Sequence, residues 1–308
     1  MNTPSDGQPS SPLDSQRIAT ATLTPARPFY WSIRREFWEN RSIYLAPLAA
    51  AAVCVFGFLI SMFHLPALMR ATSPLDPTQQ HSAMMKPYEV TAGLLMVVAM
   101  IVGVFYCLDA LHGERRDRSI LFWKSLPVSD LTTVLSKAAI PIVVLQLFAF
   151  ALAVAAQSVM LLLGTAVLAA RGQSVQALWS QLPLFQMSLL LLYHLVTVHA
   201  LWHAPLYAYL LLVSAWARRA TFLWAALPPL AIGVVEKIAF NTSHFADFIG
   251  NRLQGGPEAD AMGKFPIEPM THLTPGQFLI SPGLWLGLAV AAIFLFTAAR
   301  LRRSRGPL

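Results

Sequence analysis

Three histidines in an otherwise apolar stretch, His194, His199 and His203, are the residues of this chain best suited by type to hold a metal or a haem. His199 and His203 stand four apart and share one face of a helix, and on the same geometry His194 falls on the opposite side. No carboxylate or cysteine lies close to them in sequence, and a zinc site needs more ligands than two. Paired histidines in a membrane helix could instead ligate haem; the plainer alternative is that they hydrogen-bond neighbouring helices or line a wet cavity. A second group is ionisable or polar within, or at the edge of, apolar runs: Asp109, Gln146, Gln157 and the pair Glu236–Lys237. Such residues are costly in a membrane and usually face a bundle interior. Glu236 reads equally as a pathway residue, an interhelical ion pair or an interfacial charge reaching water.

Other chemistry is missing. Gly256 to Lys264, GPEADAMGK, spaces its glycines too widely for a phosphate-binding loop and has Phe265 where a magnesium-binding Ser or Thr should stand. There is no HExxH, nucleophile elbow or GxGxxG. Cys54 and Cys107 lie in apolar segments and read as small buried hydrophobes. The expectation is a non-enzyme with no catalytic residue, no metal ligand set and no nucleotide site of its own.

The elements that must position these residues are membrane spans. The 308-residue chain is 56% hydrophobic and 12% charged, whereas soluble domains are about a quarter charged. Its net charge of +7 lies in short clusters beside apolar runs, a topology signal that argues against a nucleic-acid partner. A span takes about 20 apolar residues. Six runs qualify, at approximately 44–63, 90–111, 138–163, 186–215, 221–240 and 280–299, with Pro141 and Pro205 as kinks in the two longest. Sixteen of the 22 Lys and Arg residues fall in 17–41, 115–137, 218–219 and 300–305, which predicts a multi-pass protein with both termini cytoplasmic. Residues 1–28, rich in Ser, Thr and Pro, read as a disordered cytoplasmic tail, and 29–308 as one transmembrane domain. Phe29 to Arg41 reads as an amphipathic helix on the inner membrane surface, or as the aromatic and basic flank of the first span. The outer segments His64–Glu89 and Asn241–Leu279 carry enough apolar residues to predict short helices or re-entrant pieces.

Between the second and third spans lies the longest charged interruption in the middle of the chain, His112 to Lys137. Ile120, Leu121, Phe122 and Leu126 form an apolar ridge ringed by Glu114, Arg115, Arg116, Arg118 and Lys124. Pro127 should stop a short helix, and Ser129 or Asp130 can cap the helix that follows. Such a ridge fits a protein partner or, alternatively, a lipid-facing amphipathic segment. Glu114 to Ser129, ERRDRSILFWKSLPVS, resembles the E-R-x-x-g-[TS]-[IL]-x-x-l-x-[SA]-L-P-[VI]-[ST] segment of type 2 ATP-binding-cassette permeases, the six-span membrane subunits of exporters. The topology matches from about Phe29 onward, though only the loop is motif-grade; Asp117–Arg118 departs from the family, which commonly has a small residue or glycine there.

The resemblance implies an all-α membrane protein with an N-terminal interfacial helix, a cytoplasmic coupling helix between spans 2 and 3 and a large outer segment before span 6. It implies a permease of the bacterial-type cytoplasmic membrane that pairs with a second permease copy, as a homo- or heterodimer, and is surrounded by lipid. It also implies that a separate ATP-binding-cassette ATPase, carrying the ATP and magnesium, docks on Glu114, Arg115, Arg118, Ile120, Leu121, Phe122, Leu126 and Pro127. The competing readings are a membrane-anchored haem or metal protein using the three histidines, and a membrane anchor for a cytoplasmic partner that transports nothing.

Overall fold

A computed structural model describes residues 26–62, 77–125, 128–172, 175–256 and 275–308, and among these every regular element is helical. The N-terminal tail reading lies outside the described residues up to 25, as do Leu126, Pro127 and most of the GPEADAMGK stretch. In chain order the helices are α1 (Ala26–Glu39), α2 (Ser42–Ser61), α3 (Pro77–Ala110), the short α4 (His112–Arg116) and α5 (Ile120–Ser125), then α6 (Asp130–Ala139) and α7 (Leu145–Ala170). They continue with α8 (Gln176–Gln181), α9 (Leu184–His194), α10 (Ala204–Trp216), α11 (Thr221–Phe240), α12 (His244–Gln254), α13 (Pro275–Ile280) and α14 (Pro282–Ser304).

Six stretches are long and apolar enough to cross a membrane: Ser42–Ser61, Met84–Arg116, Asp130–Ala170, Leu184–Trp202, Thr221–Phe240 and Pro282–Ser304. The chain is an all-α, multi-pass membrane protein. Two sequence-derived boundaries need correction. The third span starts at Asp130, because Ser129 in an extended conformation accepts a hydrogen bond from the Thr132 N–H and caps the helix there. The run 186–215 is not one kinked helix. It breaks at His203 into a membrane-length piece and the separate α10, whose second residue is Pro205. Proline has no N–H to give to the preceding turn and fits best at a helix start, although Pro47, Pro87, Pro228 and Pro229 lie within α2, α3 and α11.

One expected kink lies within a stretch of π-helix and the other falls just beyond a second such stretch. Ile140–Val144 joins α6 to α7, with Pro141 inside it, and Leu195–Trp202 joins α9 to the break before α10. In the first, the buried Gln146 donates its Nε2 proton to the Pro141 carbonyl at 3.0 Å. That is the role of one of the two predicted span glutamines. The other, Gln157, donates to the Tyr88 carbonyl at 3.1 Å and ties α7 to α3.

Lipid tails are as apolar as leucine, so close packing and not water exclusion holds such helices together. The most extensive contact is α10 against α14, where Ala204, Ala208 and Ala291 bring the backbones near one another. The largest core cluster gathers Ile43, Ala99, Tyr106, Ile140, Leu145, Tyr207 and Leu211 from five elements. Gly103 is part of that fit: a Cβ there would lie 3.2 Å from the Tyr207 ring. By contrast, only 6% of α11 is buried within the chain.

Candidate functional site at the basic end of the bundle

Where α1, α4, α6 and α14 converge, four carboxylates, with Glu39 at the exposed margin, meet three cations. Lys137 lies 2.8 Å from Glu36 and 3.2 Å from Glu114. Arg302 reaches Glu114 at 3.1 Å and also pairs with Asp130. Arg35 contacts Glu36 and, at 3.4 Å, Glu114. Glu36 further accepts the buried Tyr106 hydroxyl proton at 2.9 Å. Glu36, Glu114, Lys137 and Arg302 are all buried. Burial alone would raise the Glu36 pKa, but the charges of Lys137 and Arg35, with their hydrogen bonds, hold it below the usual carboxylate range.

This network seats the 112–125 segment. At the break after α3, the N–H groups of Leu111 and His112 both donate to the hydroxyl of the fully buried Ser214, at 3.0 and 2.9 Å. Arg115 Nη1 donates to the carbonyls of Ala215 and Ala217, closing the end of α10, where helix carbonyls lack partners. Lys124 does the same for α14 through the carbonyls of Arg303 and Arg305. The Arg35 guanidinium lies 3.8 Å from the centre of the Trp123 ring. Arg118, where the motif commonly has glycine, has φ +60. The left-handed turn between α4 and α5 is one that glycine makes without cost.

The predicted docking residues therefore separate. Glu114 and Arg115 are buried and hold the loop to the bundle, and Ile120 is 1% exposed. Leu121 and Phe122 stand 59% and 60% exposed, with Arg118 on the turn beside them. Leu126 and Pro127 lie outside the described residues. Sequence reasoning missed Arg35, Glu36, Tyr106 and Ser214 as members of this site, and it treated Lys137 and Arg302 only as topology charges. The available signal was that Lys137 falls within the apolar helix Asp130–Ala170, where a charge without a partner is costly.

Of the residues read as pathway or interhelical groups, Asp109 is exposed and pairs with Arg116 at 3.5 Å. Glu236 forms no interhelical ion pair among the described residues. It turns onto the start of α12, accepting from the His244 and Phe245 N–H groups and the Thr242 hydroxyl, each at 2.8 Å. The first N–H groups of a helix have no intrahelical acceptor and attract an anion. Its neighbour Lys237 is exposed.

His194 is not opposite His199. The π-helical register between them, with its i to i+5 hydrogen bonds, brings residues five apart to one side. The ring centres of His194, His199 and His203 run in file at 5.6 and 5.3 Å. His203 Nε2 donates to the Leu253 carbonyl, and Arg252 lies over Trp202 at 4.2 Å, so this file is roofed by α12. Among the described residues no group of His, Cys, Asp or Glu is arranged to hold a metal.

A scan against protein-family models, a search of curated proteins and a search of solved structures each found no match.

Proposed function

We propose that this multi-span membrane protein is the permease subunit of an ATP-driven exporter, driven by a separate ATP-binding-cassette ATPase that docks on the 114–127 loop. One observation carries the reading: Leu121 and Phe122 project from a short helix whose base is held by buried ion pairs and carbonyl caps to α1, α6, α10 and α14. An exposed apolar pair on a rigid base suits partner docking. Force on that helix would reach several spans at once through Glu114, Arg115 and Lys124. The loop motif supports the same family, and the glycine-type turn at Arg118 agrees with the motif's usual residue. In this reading the basic end faces the cytoplasm and both termini lie there. ATP and magnesium are bound by the partner, so the chain itself is not an enzyme. The sparsely covered α11 leaves room for a second permease copy.

The test is co-expression with candidate ATP-binding-cassette ATPases from the same genome. Leu121→Asp and Phe122→Asp should each abolish recovery of the complex and stimulated ATP hydrolysis, while the variant's own elution profile and melting temperature stay unchanged. Undiminished assembly and hydrolysis in both variants would remove the docking reading.

A further inference from the structure

The ion network at the basic end balances its cations Arg35, Lys137 and Arg302 with carboxylates, Glu39 among them. A second cluster at the same end does not. A cavity of about 540 Å³ is lined by Arg115, Arg218, Arg219 and Arg305 together with Gly306, Pro307 and Leu308. None of these four arginines is in an ion pair with any described residue. Arg115 is 5% exposed; its Nη1 is taken by the Ala215 and Ala217 carbonyls and its Nε by that of Gly306. Among the described residues its Nη2 has no hydrogen-bond partner. Arg305 gives Nη1 to the Trp216 carbonyl at 2.6 Å. Arg218 and Arg219 sit exposed on the turn between α10 and α11.

Converging guanidiniums repel one another, and an anion between them relieves that repulsion while offering oxygens that match the guanidinium fork. The surroundings narrow the kind of anion. A second groove, of about 300 Å³, adjoins the first and shares Arg218 and Arg305 with it. Its other walls are Trp216, Ala217 and Trp224, the two indoles packed edge to face at 4.7 Å. Trp224 belongs to the first turn of α11, where Phe222 and Leu223 are exposed. A charged pocket continuing into an aromatic and aliphatic groove at the end of a span has the form of a headgroup site with an acyl-chain path.

We propose that this cavity binds the phosphate of an anionic phospholipid, with the acyl chain lying along Trp216, Trp224 and α11. The site is independent of whether the chain couples to an ATPase. The two sources of phosphate, lipid headgroup and free anion, separate in one experiment on the full chain. Protein purified in neutral detergent and stripped of lipid would be titrated with phosphatidylglycerol, phosphatidylcholine and inorganic phosphate, reading melting temperature and bound species by native mass spectrometry. Phosphatidylglycerol should bind saturably and raise the melting temperature, and the other two should do neither. The double variant Arg218→Gln/Arg219→Gln should weaken phosphatidylglycerol binding by roughly 30-fold. The charge-matched control Arg116→Gln/Arg303→Gln, at the same end but outside the cavity, should change it little. Equal binding of phosphatidylcholine, or equal loss in both double variants, would overturn the site. Binding of inorganic phosphate as tightly as the lipid would overturn the lipid assignment.

Discussion

The Lys137 ammonium lies 2.8 Å from the Glu36 carboxylate, with the two side chains 3% and 1% exposed, although 101 positions separate them. That contact joins the amphipathic α1 to the first turns of the third span. Through Glu114, Lys137 is also joined to Arg302 at the end of the last span.

Replacing one member of such a set leaves its partners charged and buried. Lys137→Met should therefore lower stability by about 3–5 kcal/mol, read as a drop in melting temperature in detergent. Removing both charges in Glu36→Gln/Lys137→Met should cost less than the sum of the two single changes, since the orphaned carboxylate is then gone. Additive losses in that cycle would show that the pair is not coupled.

The lowered pKa of Glu36 sets the sign of a pH effect. A carboxylate held below its ordinary range binds fewer protons folded than unfolded, so the stability it contributes is complete above about pH 4.5. That contribution drains away as pH falls through the lower folded value. The melting temperature of the wild-type chain should fall on acidification below that range. In Glu36→Gln this part of the decline should be missing, and a curve of unchanged shape would contradict it.

Arg118 holds a left-handed backbone at φ +60 with an exposed side chain. A non-glycine residue there costs roughly 1–2 kcal/mol. Arg118→Gly should accordingly raise stability by about 1 kcal/mol or less, the remainder being offset by the greater freedom of glycine in the unfolded chain. Arg118→Val should lower it. The comparison is made by denaturant or thermal unfolding of the two variants beside the parent.

How much of the site could be read beforehand depended on how local each feature is. Ser129 was named as a cap and is one, because capping involves residues three apart. The exposed Leu121–Phe122 pair was found from its neighbours in sequence, but Ile120, one residue earlier, turned inward. Periodicity over a six-residue helix cannot say which side the bundle lies on. His194 was placed on the wrong side of its helix because a π-helical stretch changes the register, and nothing in the residues Leu195–Trp202 announces that change. Glu236 read equally as an interior charge or an interfacial one and became the acceptor for the next helix's first N–H groups, beside the turn at Asn241, which has φ +51.

The sequence by itself determined that the chain crosses a membrane on six apolar helices, since that depends on summed hydropathy over about 20 neighbouring residues. It also determined which end is basic and where the charged loop falls. The tertiary structure alone decided that Glu114 faces inward to Lys137 and Arg302, and that Arg115, Arg218, Arg219 and Arg305 share one cavity. Those contacts bridge separations such as the 188 positions between Glu114 and Arg302. Which charges meet is set by how distant helices pack, and helix packing in lipid follows from shape and close contact, which no single segment encodes.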